Sequence, residues 1–156
     1  MSDEQPAKEI DLLHVGVRKY ISTGLYRSVS LSLSILFAVV GLVFLLAPEA
    51  VQLLFNSVSR HSGMQEAPLQ DLGFFLILAV GYMYLVALLA YLMFLHPENR
   101  YFPWILIHGK TASSVLSFWL FILHGAYLIY LTNGIVDGAI AAGVLMLSRK
   151  ARKTPK

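Results

Sequence analysis

Five polar residues, Lys110, Ser113, Ser114, Ser117 and His124, recur along one mainly apolar stretch of the chain. With Lys110 at 0° and about 100° of rotation per residue, all five fall within one arc of about 100°. A polar stripe facing lipid is costly, so this arc predicts an inward face. Asp137 follows in the next apolar stretch, and Glu49 and Asp71 flank earlier ones. An ammonium, hydroxyls, an imidazole and carboxylates gathered at membrane depth could bind a cation, hold a proton or hydrogen-bond a quinone head group. Other chemistries are excluded. The chain has no cysteine, which removes disulfides, thiolate metal sites and thiol nucleophiles. It has no GxSxG, HExxH, GxxxxGK[ST] or GxGxxG pattern, so no catalytic or metal-ligating residue is assigned.

The elements that must position these groups are membrane spans. Of the 156 residues, 57% are hydrophobic and 13% charged, with mean hydropathy +0.67, against about 45–50% and about 25% in soluble domains. Apolar runs of roughly the 20 residues needed to cross hydrocarbon place spans at about 29–47, 72–95, 104–131 and 132–148, the first two free of charge, the third containing Lys110 and the fourth Asp137. The third run is long enough to require tilt, or a Lys110 end lying in the headgroup layer. The fourth is short. Ala50 to Phe55 is expected as an interfacial turn, and Thr132-Asn133-Gly134 as the tight turn joining the last two spans. Ile10, Leu13, Val17 and Ile21 recur at helical spacing and predict an amphipathic surface helix within residues 1–27. The fold class expected is thus all-α: an integral membrane four-helix bundle over 28–148, an N-terminal amphipathic interfacial helix and a basic tail over 149–156.

Four spans put both termini on one side. That side then holds Lys8, Arg18, Lys19, Arg27, Arg100, Lys110, Arg149, Lys150, Arg152, Lys153 and Lys156, and the other only Arg60. The positive-inside rule makes the termini cytoplasmic, as expected for a multi-pass protein of an inner membrane. The basic tail fits contact with acidic lipids of the cytoplasmic leaflet; nothing presents a folded basic surface to nucleic acid. Small residues recur at helix-packing spacing: Gly134, Gly138 and Ala142; Gly109, Ser113 and Ser117; Ser30, Ser34, Ala38 and Gly41. They predict close helix contacts within the bundle, or a homo-oligomer seam on the last helix.

With a turn at Thr132, His124 and Asp137 lie at about 10 Å and about 7 Å below the same membrane surface. They could pair, either as a structural hydrogen bond or, with Glu49 and Asp71, as the wall of an outward-facing pocket that also draws on Lys110 and Ser117. Haem b requires two facing histidines. Only His96 and His108 could approach across the middle loop, and His96 precedes a proline at a helix end, which argues against a ligand.

Leu46-Ala47-Pro48-Glu49, the loop from Pro97 to Trp104 leading to Gly109-Lys110, and Gly134-Ile135-Val136-Asp137-Gly138 together resemble the DoxX-like group of small four-helix membrane proteins. The resemblance spans about residues 29–150. It implies an inner-membrane protein, some members being associated with quinone-linked redox complexes, and it adds interest to Glu49, Lys110 and Asp137. The function expected is that of a non-catalytic component of a larger membrane complex, with other membrane subunits or further copies as partners. The alternatives are a quinone-binding or electron-transfer subunit using His124 and Asp137, and a small ion or solute transporter.

Overall fold

The computed structural model describes residues 4–68 and 73–152, with side chains over 23–68 and 76–151. Five helices occupy the described residues: α1 (Glu4–Leu46), α2 (Pro48–His61), α3 (Gly73–Leu95), α4 (Tyr101–Leu123) and α5 (Leu128–Arg152). Four contain stretches long and apolar enough to cross a membrane: Thr23–Leu46, Leu76–Leu95, Tyr101–Leu123 and Leu128–Ala151. The chain is a multi-pass all-α membrane bundle. Its outward faces carry leucine, isoleucine and valine, among them Ile35, Leu36, Val39, Leu42, Ile77, Leu85, Val115 and Ile122. A continuous apolar exterior of this kind is a liability in water and the normal surface in lipid.

Two antiparallel pairs make up the bundle, α1 on α3 and α4 on α5, joined by contacts of α3 with α4 and α1 with α5. The first register is marked by Arg27 over the Phe94 ring, Ser34 Oγ donating to Ala87 O at 2.9 Å, and Gly41 against Met83. The second is marked by Ser114 Oγ donating to Gly134 O at 2.7 Å and Asn133 Nδ2 donating to Ser117 Oγ at 2.7 Å. Small residues let these backbones approach. A Cβ on Gly134 would stand 3.1 Å from the Phe118 ring, and one on Gly138 would stand 3.0 Å from Ser114 Oγ. The small-residue face of the last helix is therefore filled by α4 of the same chain.

Four boundaries differ from the sequence expectation. The amphipathic N-terminal segment is continuous with the first span, because no proline or other strong breaker lies between Ala7 and Ala47. The expected turn at Ala50 to Phe55 lies inside α2, which Pro48 starts at a position where a missing N–H costs nothing. The third span stops at Leu123 instead of Leu131, and α5 runs straight through Thr132-Asn133-Gly134. The chain reverses instead at Gly125, whose φ of 138° is open to glycine. A side chain there would also meet Gln65 Oε1 at 2.7 Å. Gly134 serves close packing and not a turn. Finally, α5 extends to Arg152, past the tail boundary expected at 149.

Beyond the first span the chain forms a cap. Gln52, Asn56 and Ser59, four and three residues apart, form the buried face of α2, while Leu53, Leu54 and Val58 are exposed. The buried amides hold the following loop: Gln52 Nε2 donates to Pro68 O, Asn56 Nδ2 donates to Ala67 O at 2.9 Å, and Asn56 Oδ1 accepts from Ala67 N–H at 2.9 Å. Arg60 meets Glu66 through two hydrogen bonds of 2.9 and 3.2 Å. Gln65 then bridges Tyr127, laying the loop over the α4–α5 turn.

Two outcomes follow from these contacts. Gly138→Leu should lower stability by about 1–3 kcal/mol through overpacking, while Gly143→Ala, inside α5 where a Cβ meets nothing within 4 Å, should not lower it and should raise it by up to about 1 kcal/mol; thermal unfolding in detergent compares them. The hydrogen bond from Arg60, with its charge, holds the Glu66 carboxyl below its ordinary value. The contribution of the pair is thus present above Glu66's unfolded value and fades as pH falls through the lower folded one. In an NMR titration Arg60→Gln should return Glu66 toward that ordinary value while barely moving the melting temperature, since both groups are exposed.

Candidate functional site: an ion pair at the centre of the bundle

Ending α4 at Leu123 moves Lys110 from the headgroup layer into the membrane. It lies nine residues past Tyr101, about 13 Å along the helix. Phe37, Tyr82 and Asp137 lie at a matching depth from the other end. Phe37 is nine residues before Leu46 on α1, Tyr82 nine after Gly73 on α3, and Asp137 nine after Leu128 on α5. The flexible Lys110 stem spans the remaining distance, and the four groups meet near the middle of the hydrocarbon core.

Lys110 Nζ donates to Asp137 Oδ1 at 2.7 Å, a charge-assisted bond. The ammonium also lies 4.0 Å from the Phe37 ring centroid and 4.9 Å from that of Tyr82. Aromatic faces attract a desolvated cation by about 2 kcal/mol. One charged atom therefore touches all four spans. Lys110 is 1% exposed and Asp137 2%. Asp137 Oδ2 is buried and accepts no hydrogen bond from the described residues, which hold the carboxylate through one oxygen.

Ser114 and Ser117 are buried beside the pair, on the α4 face that meets α5, and Asn133 Nδ2 also approaches Ser113 Oγ at 3.3 Å. The inward polar arc thus contains Lys110 and the three serines. His124 leaves it. It follows the last residue of α4, its N–H donating to Leu120 O at 2.9 Å, and it is exposed. The partner of Asp137 is Lys110, not His124, because the chain turns at Gly125 and places His124 at the helix end. Glu49 is exposed in the first turn of α2. Asp71 lies outside the described residues. Of the three acids and the imidazole expected to line one pocket, the described ones are not gathered there: Glu49 and His124 are exposed, and Asp137 is buried against Lys110. His96 lies near Glu98, 3.9 Å from its carboxylate, and near the Phe102 ring. His108 stands edge-on to Trp104, with ring centroids 4.2 Å apart.

The sequence put Lys110 and Asp137 in one candidate pocket but paired Asp137 with His124, and it had no part for Phe37 or Tyr82. The available signal was their common offset of nine residues from helix ends, which becomes visible only once the turn is moved to Gly125. No family model, curated protein or solved structure matches this chain.

Removing one member of the pair leaves the other charge stranded in a dry interior, whereas removing both does not. Lys110→Met and Asp137→Val should each lower unfolding stability by about 3–5 kcal/mol, and the double variant should recover most of the loss. Steric-trap or detergent unfolding closes this cycle; additive losses would show that the two charges are not coupled.

Proposed function

We propose that the protein is a non-catalytic four-span component of a larger membrane assembly. The observation that carries this reading is an imidazole facing outward at membrane depth. His108 is exposed seven residues into α4, about 10 Å along the helix. It shares one helix face with Trp104, Thr111 and Val115, all exposed. Polar side chains within spans are normally turned toward protein or water, and a neighbouring subunit would supply that environment for His108. The central Lys110–Asp137 pair, enclosed by the chain's own helices, suits a rigid scaffold. With Lys110 counted within the bundle, ten lysines and arginines lie on the side of the termini and one, Arg60, on the other, which favours cytoplasmic termini in an inner membrane. The four-span layout and the positions of Lys110 and Asp137 are also what support kinship with the DoxX-like group.

A second reading rests on Asp137 Oδ2, a buried carboxylate oxygen without a hydrogen-bond partner among the described residues. Such an oxygen could take up a proton or receive a quinone hydroxyl, so that Asp137 would carry redox or transport chemistry without His124.

A photocrosslinking side chain at position 108, activated in native membranes, should yield a protein adduct, while one at the exposed position 85 on α3 should not. Migration as a single chain in mild detergent with no adduct at 108 would refute the assembly reading. Stoichiometric quinone in the lipid extract, or proton flux in proteoliposomes abolished by Asp137→Asn, would favour the second.

A further inference from the structure

A cavity of about 360 Å³ opens between α4 and α5 at the end of the bundle that carries the termini, lined by Arg100, Tyr101, Trp104, Ile107, Leu145, Ser148 and Arg149. We propose that it is a binding site for one acidic phospholipid, of the phosphatidylglycerol kind. Its walls have the two characters such a molecule needs. Arg100, the residue that caps the start of α4, and Arg149, on α5, are both exposed and bring two guanidinium side chains to its lining, and neither joins an ion pair among the described residues. The nearest acid in sequence, Glu98, is turned to His96. The α4 N-terminus adds partial positive charge on the same side.

Deeper in, Trp104, Ile107 and Leu145 form an apolar wall. Tyr101 and Trp104 stand at the start of the span, where amphipathic rings mark the headgroup level. Ser148 is buried, and its hydroxyl donates to Leu145 O at 3.0 Å, which leaves its oxygen lone pairs free to accept from a headgroup hydroxyl. A phosphodiester between the arginines, a glycerol hydroxyl near Ser148 and an acyl chain against Leu145 would satisfy each wall by its own chemistry. Guanidinium forks suit phosphate oxygens, and basic pockets between spans are a recurrent headgroup site. The volume accommodates a headgroup and the first methylenes, with the acyl tails continuing along the exposed face of α4.

The test uses the full chain, delipidated in mild detergent and titrated with phosphatidylglycerol or phosphatidylcholine of identical chains, with bound lipid counted by native mass spectrometry. Wild type should retain one phosphatidylglycerol in preference to phosphatidylcholine. Arg100→Gln/Arg149→Gln should bind it about thirtyfold more weakly with an unchanged lipid-free melting curve, and Lys150→Gln, outside the cavity, should bind as wild type does. The proposal is overturned by equal retention of the two lipids, by undiminished binding in the double variant, or by an equal loss in Lys150→Gln, which would mark a diffuse basic surface. Inorganic phosphate is the last arm: if it displaces the lipid at equal concentration, the site takes a free anion and the lipid assignment fails. Should the double variant fail to fold, a Trp119→Phe chain, in which Trp104 is the remaining tryptophan, decides the matter. Brominated phosphatidylglycerol should quench its fluorescence more than brominated phosphatidylcholine, and equal quenching overturns the proposal.

Discussion

The ammonium of Lys110 is a charge in a place where charge is expensive, and the bundle is arranged around that cost. Hydrocarbon offers no water to solvate it, so its compensation comes from a carboxylate at 2.7 Å and from two aromatic faces. Each contribution arrives from a different helix. Shifting one helix along its axis by a turn, about 5.4 Å, would strand the cation. The relative heights of all four spans are tied to this one atom, a constraint that apolar packing against apolar lipid could not impose by itself.

Around that centre the polarity of the molecule is inverted relative to a soluble domain. Lys110, Asp137, Ser30, Ser114 and Ser117 are buried, and much of the leucine and isoleucine is outside. The same logic governs α2, whose amides turn inward to hold a loop and whose leucines turn outward. Glycine and serine at the helix contacts then allow the close approach that brings the ion pair into bonding distance. Exceptions on the outer surface are few enough to be informative: an exposed His108 on α4, and a cavity with two arginines in its lining between α4 and α5 near the termini.

How much of this was legible varied by element. The three long apolar runs were recognisable from hydropathy, and the inward direction of the Lys110–Ser117 arc from helical periodicity. The reversal between the last two spans was not. Asn133-Gly134 has turn chemistry, whereas His124-Gly125-Ala126 lies in an unbroken apolar context. Local propensity favours the first, and tertiary packing decides for the second. Gly134 must lie under the Phe118 ring and Gly125 must make way for Gln65. That seven-to-nine-residue displacement also moved His124 out of the membrane and Lys110 into it.

The sequence by itself determined the medium, the fold class and which residues would be exceptional, because hydropathy and helical phase are properties of local composition. Which exceptions meet is a matter of height along neighbouring helices, and height depends on where each helix ends. That was decided in three dimensions, by contacts between residues distant in the chain. Asp137 found Lys110, two aromatic rings joined them, and the imidazole that had looked like the partner was left at the surface.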